Sequence, residues 1–187
     1  MFIDSHAHLE GKCYDADRDE VLVRAKQAGI EAYLAIGSGD GPATADCAIR
    51  LAEKYNGKPE FPEIWASVGI HPHEAALAND LAYAQLGEWA QHPRVIAWGE
   101  IGLDYFYDHS PRDIQQQVFL RQMELARAAK LPIIIHCRPS DNSENAWDYC
   151  LKVIEEHWKP SGFGGILHCF TGTVEHARRG LEMGFMI

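Results

Sequence analysis

Four short apolar segments of this chain run into side chains that bind metals. Met1–Ser5 leads to His6-Ala7-His8, Val95–Trp98 to Glu100, Ile133-Ile134-Ile135 to His136, and Gly165-Ile166-Leu167 to His168. Histidines two apart on an extended strand face the same side. Neutral imidazole is the commonest protein ligand for transition metals. One such pair is ordinary on a protein surface, and its meaning comes from repetition at the same relative position. In parallel α/β folds, active sites assemble at the carboxyl edge of the strands, and a closed barrel gathers those ends around one axis. Glu100 is the one carboxylate in the set. It would bridge two ions, with His6 and His8 on one side and His136 and His168 on the other. Two such ions generate hydroxide from water and clamp both the attacking and the leaving oxygen of a displacement.

Cys137 and Cys169 directly follow His136 and His168. Strand side chains alternate faces, so inward histidines turn the cysteines outward to pack against helices as small hydrophobes. The expected ligand set is therefore nitrogen and oxygen, which suits Zn, Mn, Ni or Fe, and Mg with water ligands.

These residues need strands to carry them. The extended candidates are 2–5, 32–36, 64–70, 95–100, 132–136 and 165–168. Helical spacing lies between them: Val21, Leu22, Ala25 and Ala28 before a stop at Gly29, then Cys47, Ala48, Leu51, Ala52 and Tyr55. Further helices are expected near 80–91, 112–129, 142–157 and 173–183. Six strand–helix units with Val/Ile-rich strands predict a parallel sheet covered by helices. No low-complexity linker divides the chain, so residues 1–187 are expected to form one domain.

The chain has 187 residues, 47% of them apolar and 24% charged, enough for a sizeable core. The net charge of −10 argues against a broad basic face gripping duplex nucleic acid. A small phosphate-handling pocket remains open, because bound cations add charge that the sequence count omits. The start, Met-Phe-Ile-Asp, has no basic stretch and no long apolar one after it, so no signal peptide is expected, and no apolar run reaches the roughly 20 residues that span a bilayer. No membrane partner is expected. Five scattered cysteines without a C-x-x-C suit a reducing cytoplasm.

Several other residues have two readings. Asp4 shares strand parity with His6 and His8, and either orients a ligand histidine or bonds buried backbone. Asp104 and Tyr105 either support the site or make a turn and a packed ring. The run Tyr105-Phe106-Tyr107 either stacks a base or packs as core or lid. His92, His109, His157 and His176 are expected to be plain surface residues.

Five motifs in order now carry a resemblance: His6-Ala7-His8, Gly69-Ile70-His71-Pro72-His73, Gly99-Glu100-Ile101-Gly102-Leu103-Asp104-Tyr105, Ile135-His136-Cys137-Arg138 and His168-Cys169-Phe170-Thr171-Gly172. Together they resemble the TatD-type metal-dependent deoxyribonucleases, of the amidohydrolase-like superfamily. The resemblance implies a TIM-type (β/α)8 barrel and a divalent-metal phosphodiesterase acting on DNA, often from the 3′ end. It implies His6, His8, Glu100, His136 and His168 as ligands of two ions (Mg, Mn or Zn). It also implies His71 and Arg138 as pocket residues near the scissile phosphate of a single-stranded or end-accessible substrate. The alternative for His71 is a turn residue before Pro72. Other chemistries of such a site are ester or amide hydrolysis, as in removing a misacylated amino acid from tRNA, or an inactive binding form. Family members continue to a seventh and an eighth strand, the latter bringing an aspartate that is a metal ligand and a partner in activating water. Here Gly184-Phe185-Met186-Ile187 reads as the start of strand seven. The expected fold is therefore an incomplete barrel of about six βα units, with its acid/base aspartate beyond residue 187.

Overall fold

The computed structural model of the chain describes residues 1–141 and 146–187. Among them, seven parallel strands form one sheet in sequence order: β1 (Phe2–Ala7), β2 (Ile30–Ala35), β3 (Glu63–Val68), β4 (Val95–Asp104), β5 (Ile133–Arg138), β6 (Gly165–Leu167) and β7 (Phe185–Met186). The helices between them are α1 (Arg18–Gln27), α2 (Cys47–Tyr55), α3 (Asp80–Trp89), α4 (Arg112–Ala129), α5 (Ala146–Val153) and α6 (Val174–Glu182). The expected helix over 142–157 begins outside the described residues, and its end departs from α geometry in a π turn over Ile154–Trp158. The parallel sheet with intervening helices is what the alternation predicts, and its curl into an α/β, TIM-type half-barrel is what the family resemblance implies.

The curl of the sheet is visible in one contact. On a flat sheet, β1 and β6 would stand about 24 Å apart, five spacings of roughly 4.8 Å. Instead His6 on β1 and His168 just past β6 stack with ring centroids 3.3 Å apart. The strands therefore wrap, and their carboxyl ends converge. The sheet ends at β1 and β7, where Phe2, Ile3 and Met186 stay exposed. Unpaired edges of this kind are what barrel closure removes.

The core lies between strands and helices, with Trp98, Trp147, Trp158 and Phe119 fully enclosed. Two buried glutamines on α4, seven residues apart and hence on one face, tie it to the strand ends. Gln122 accepts from the Ile70 amide (2.7 Å) and from the Trp98 indole (3.2 Å), and donates to the Ile70 carbonyl (2.9 Å). Gln115 accepts from the Asp104 amide (2.8 Å) and donates to the Asp104 carbonyl (3.0 Å) and the Ser110 carbonyl (2.8 Å). Buried amides satisfied this fully fix backbone position.

Strand β4 corrects the sequence reading. It was expected to end at Glu100 and instead continues to Asp104, because Ile101 and Leu103 keep the alternation going and pair with Ile135 and Cys137. Glu100 thus sits inside a strand. His6 and His136 are likewise inside β1 and β5, while His8 and His168 stand just beyond their strands. Strand β6 ends at Leu167, so Cys169 leaves the alternation at φ +46° and is exposed rather than packed against helices. Cys137 is buried as expected.

Two glycines permit β4 and β5 to approach. A Cβ at Gly99 would lie 2.6 Å from Ile134 Cβ, and one at Gly102 only 2.0 Å from the His136 carbonyl oxygen. Gly102 also has φ +138°, which L side chains rarely adopt. Gly102→Ala should therefore lower unfolding free energy by roughly 2–4 kcal/mol. Urea denaturation checks this, and a wild-type midpoint would contradict the packing described.

Candidate metal centre

At the converged strand ends one carboxylate lies deep among imidazoles. Glu100 is 3% exposed. Its Oε2 lies 3.3 Å from His6 Nε2 and 3.8 Å from His8 Nε2, and its Oε1 lies 3.1 Å from His136 Nδ1. The two Nε2 atoms of His6 and His8 face each other at 3.1 Å. Burial works against the Glu100 anion, yet the hydrogen bonds from His136, His6 and His8 outweigh it and hold the carboxyl well below its ordinary range.

A second carboxylate stands behind His136. Asp104, fully buried, accepts through Oδ2 from His136 Nε2 (2.9 Å) and His73 Nε2 (3.0 Å). Burial raises its pKa, but the bonds from His136, the Tyr107 amide and His73 win and lower it. His136 is thus gripped from both ring nitrogens. Burial disfavours its charge, while Asp104 and Glu100 favour it more strongly and raise the pKa to about 9. His8, bonded by Glu10 (3.1 Å) and then Glu100, is likewise raised to about 9.

His71 goes the other way. It is half-buried, packs on His136 (4.5 Å between centroids) and accepts at Nδ1 from the His73 amide (3.2 Å). Burial, then the charge of His136, push its pKa down to about 3. His168 is lowered too, by burial and then by His6.

Among the described residues, two sets could hold a cation: His6, His8 and Glu100, and His71, Glu100 and His136. In each, the ligand atoms lie within 4.8 Å of one another. The fit is chemical as well as spatial, because two imidazole nitrogens and a carboxylate oxygen, all donors to divalent cations, lie 3.1–3.8 Å from one another in the first set. His168 belongs to neither set and lies flat against His6. Arg138, on β5 two residues past His136, holds its guanidinium over the rings of Phe106 (4.1 Å) and Tyr107 (4.8 Å).

The remaining residues sort as follows. Asp4 is exposed and accepts from the His6 backbone amide (3.0 Å), so it neither touches an imidazole nor lies buried. Tyr105 is core, while Phe106 and Tyr107 are exposed. His109 stacks on Tyr107. His176 was expected on the surface, but it is 6% exposed and completes a capping box with Thr173 at the start of α6. Its side chain returns a bond to the N-cap backbone, the role Glu or Gln usually fills. Two partners were missed in the sequence, Glu10 and His73. Both carried a signal, since Glu10 extends the alternation of His6 and His8, and His73 repeats it after His71.

A TIM-type half-barrel with a His/carboxylate cluster at its carboxyl edge defines a class of cation-binding folds. The family model for TatD-related DNases matches residues 3–187, and the chain belongs to that family. It is 39% identical over 187 residues to YabD of Bacillus subtilis, an uncharacterized metal-dependent hydrolase, covering all of this chain and 68% of that one. It is 36% identical to the 3′-5′ ssDNA/RNA exonuclease TatD of Cronobacter turicensis, covering 98% of this chain and 64% of the relative. Among solved structures, the TatD homologue YjjV of Escherichia coli superposes with a TM-score of 0.83 at 28% identity, over 98% of this chain and 66% of that one. The chain thus spans about two thirds of the length of the relatives it matches.

The raised pKa of His136 has a consequence for the metal-free protein. A group with a folded pKa of about 9 and an unfolded value near 6.5 stabilises the fold fully below pH 6.5. That contribution is lost as pH rises to 9. In a chelator, thermal stability should fall between pH 6.5 and 9, and the His136→Gln variant should show a shallower slope, with His8 supplying the remainder. A slope unchanged in the variant would contradict the assignment.

Proposed function

We propose that this chain carries the ligands of a two-ion nuclease site that hydrolyses phosphodiester bonds at the 3′ end of single-stranded DNA or RNA. One observation carries the reading. The buried Glu100 turns its two oxygens to separate imidazoles, Oε2 to His6 and His8 and Oε1 to His136. The exonuclease relatives indicate the substrate class.

His6, His8 and Glu100 would hold one divalent ion. Glu100 and His136, with His168 as a further donor, would hold the second. Mg, Mn and Zn all accept such nitrogen and oxygen donors. When bound, these ions acidify water and offset the charge that develops on the phosphate. The protein groups prepare this chemistry. Asp104 takes the Nε2–H of His136, so the proton that Nδ1 shares with Glu100 is the one a bound cation would replace. His71 is kept neutral, and its Nδ1 is spent on the His73 amide. Its Nε2–H is therefore left as a donor, which suits a phosphate oxygen better than a metal. Arg138 supplies a permanent charge that can pair with a second phosphate oxygen.

Among the described residues, no helix is long and apolar enough to cross a membrane. The five free thiols suit the reducing cytoplasm.

A 5′-labelled single-stranded oligonucleotide tests the reading. Cleavage should require added Mg or Mn and stop on chelation. Glu100→Gln and His136→Ala should each lower turnover by at least about a hundredfold while retaining the wild-type circular dichroism spectrum. Wild-type turnover in either folded variant would refute the ligand assignment.

A further inference from the structure

The run Tyr105-Phe106-Tyr107 divides in the structure. Tyr105 is buried, its hydroxyl accepting from Gln116 (2.8 Å). Phe106 and Tyr107 leave 43% and 50% of their surface to solvent. An exposed pair of large rings loses the hydrophobic stabilisation that burial would give. Their loop is nonetheless firmly held. Asp104 Oδ1 accepts from the Phe106 amide (3.1 Å) and the Tyr107 amide (2.8 Å). Arg112 donates to the Tyr105 carbonyl (3.1 Å) and pairs with Asp108 (2.7 Å).

The rings are also placed beside the metal centre. Asp104 pairs in register with Arg138, and Gly102 with His136. The carboxylate that grips His136 is the one that caps the aromatic turn. Arg138 spans the two, its guanidinium over both exposed rings. Tyr107 further stacks with His109 (centroids 5.5 Å, planes 1° apart) and meets the edge of His73 (5.5 Å).

We infer that Phe106, Tyr107 and Arg138 form a stacking platform for the base of an unpaired nucleotide flanking the reacting phosphate. This rests on the nuclease reading of the metal centre. The occupant follows from chemistry: a flat π-faced group attached to an anion that must lie against the neighbouring cations. Aromatic rings and guanidinium planes both stack on nucleobases without regard to sequence. A paired base has its faces covered by its neighbours and must unstack to use such a platform. The platform therefore selects unpaired strand ends, and does so without the broad basic face that a net charge of −10 lacks.

The test compares two phosphorothioate-protected single strands by fluorescence anisotropy in Mg. One is intact, and the other lacks the bases of its two 3′-terminal nucleotides. The wild-type chain should bind the intact strand at least roughly fivefold tighter, since each stacked base is worth about 5- to 150-fold. Phe106→Leu/Tyr107→Leu should bring that ratio to about one, and each single variant should give an intermediate ratio. The single variants keep the test decisive if the double variant misfolds. A ratio that survives loss of both rings, or a wild-type ratio of one, overturns the platform while leaving the nuclease reading intact. Binding of neither strand by the wild type removes both.

Discussion

A carboxylate buried to the depth of Glu100 is costly unless positive charge meets it. The rest of the structure is arranged around that requirement. Strand β1 brings His6 and His8, β5 brings His136, and the curl of the sheet closes these strands on a single residue of β4. Without a cation, the histidines themselves supply the charge, and Glu100 adds to the pull of Glu10 on His8 and of Asp104 on His136 that makes both bind protons more tightly. A divalent ion would displace those protons and meet the same need. The protonated cluster and the metal centre are thus two solutions to one electrostatic problem.

The geometry that makes this possible is fixed one layer out. Gly99 and Gly102 let β4 run hard against β5, so Glu100 and His136 come within hydrogen-bond distance. The amides of Gln115 and Gln122 on α4 then lock the backbone at Asp104 and Ile70, on either side of the cluster. Asp104 does double duty, holding the ring of His136 with one oxygen and the Phe106–Tyr107 turn with the other. A candidate metal ligand, its carboxylate partner and an exposed aromatic surface are therefore mechanically one unit.

Much of this was legible in the sequence. The alternation of apolar segments with amphipathic ones identifies a parallel βα fold, because helix and strand periods differ and each is short enough to count. His6, His8, Glu100, His136 and His168 stand out because imidazole and carboxylate recur at equivalent places. The exact strand ends were not legible. Ile101 and Leu103 could extend a strand or begin a loop, and only pairing with β5 decides. Partners such as His73, Glu10 and His176 were obscured for a different reason. A histidine reads the same whether it caps a helix, orients a ligand or faces water, and only three-dimensional neighbours distinguish these. Tyr105, Phe106 and Tyr107 show this most plainly, since three adjacent aromatics have opposite fates set by a turn whose cap is a carboxylate belonging to the site.

The central claim is that Glu100 bridges two cation positions, each completed by histidines from a different strand. The most direct measurement is an anomalous difference map from crystals of the chain grown with Mn. The account predicts two peaks flanking the Glu100 carboxylate, one against His6 and His8 and the other against His136. Peaks elsewhere, or a map with no peak touching Glu100, would contradict it.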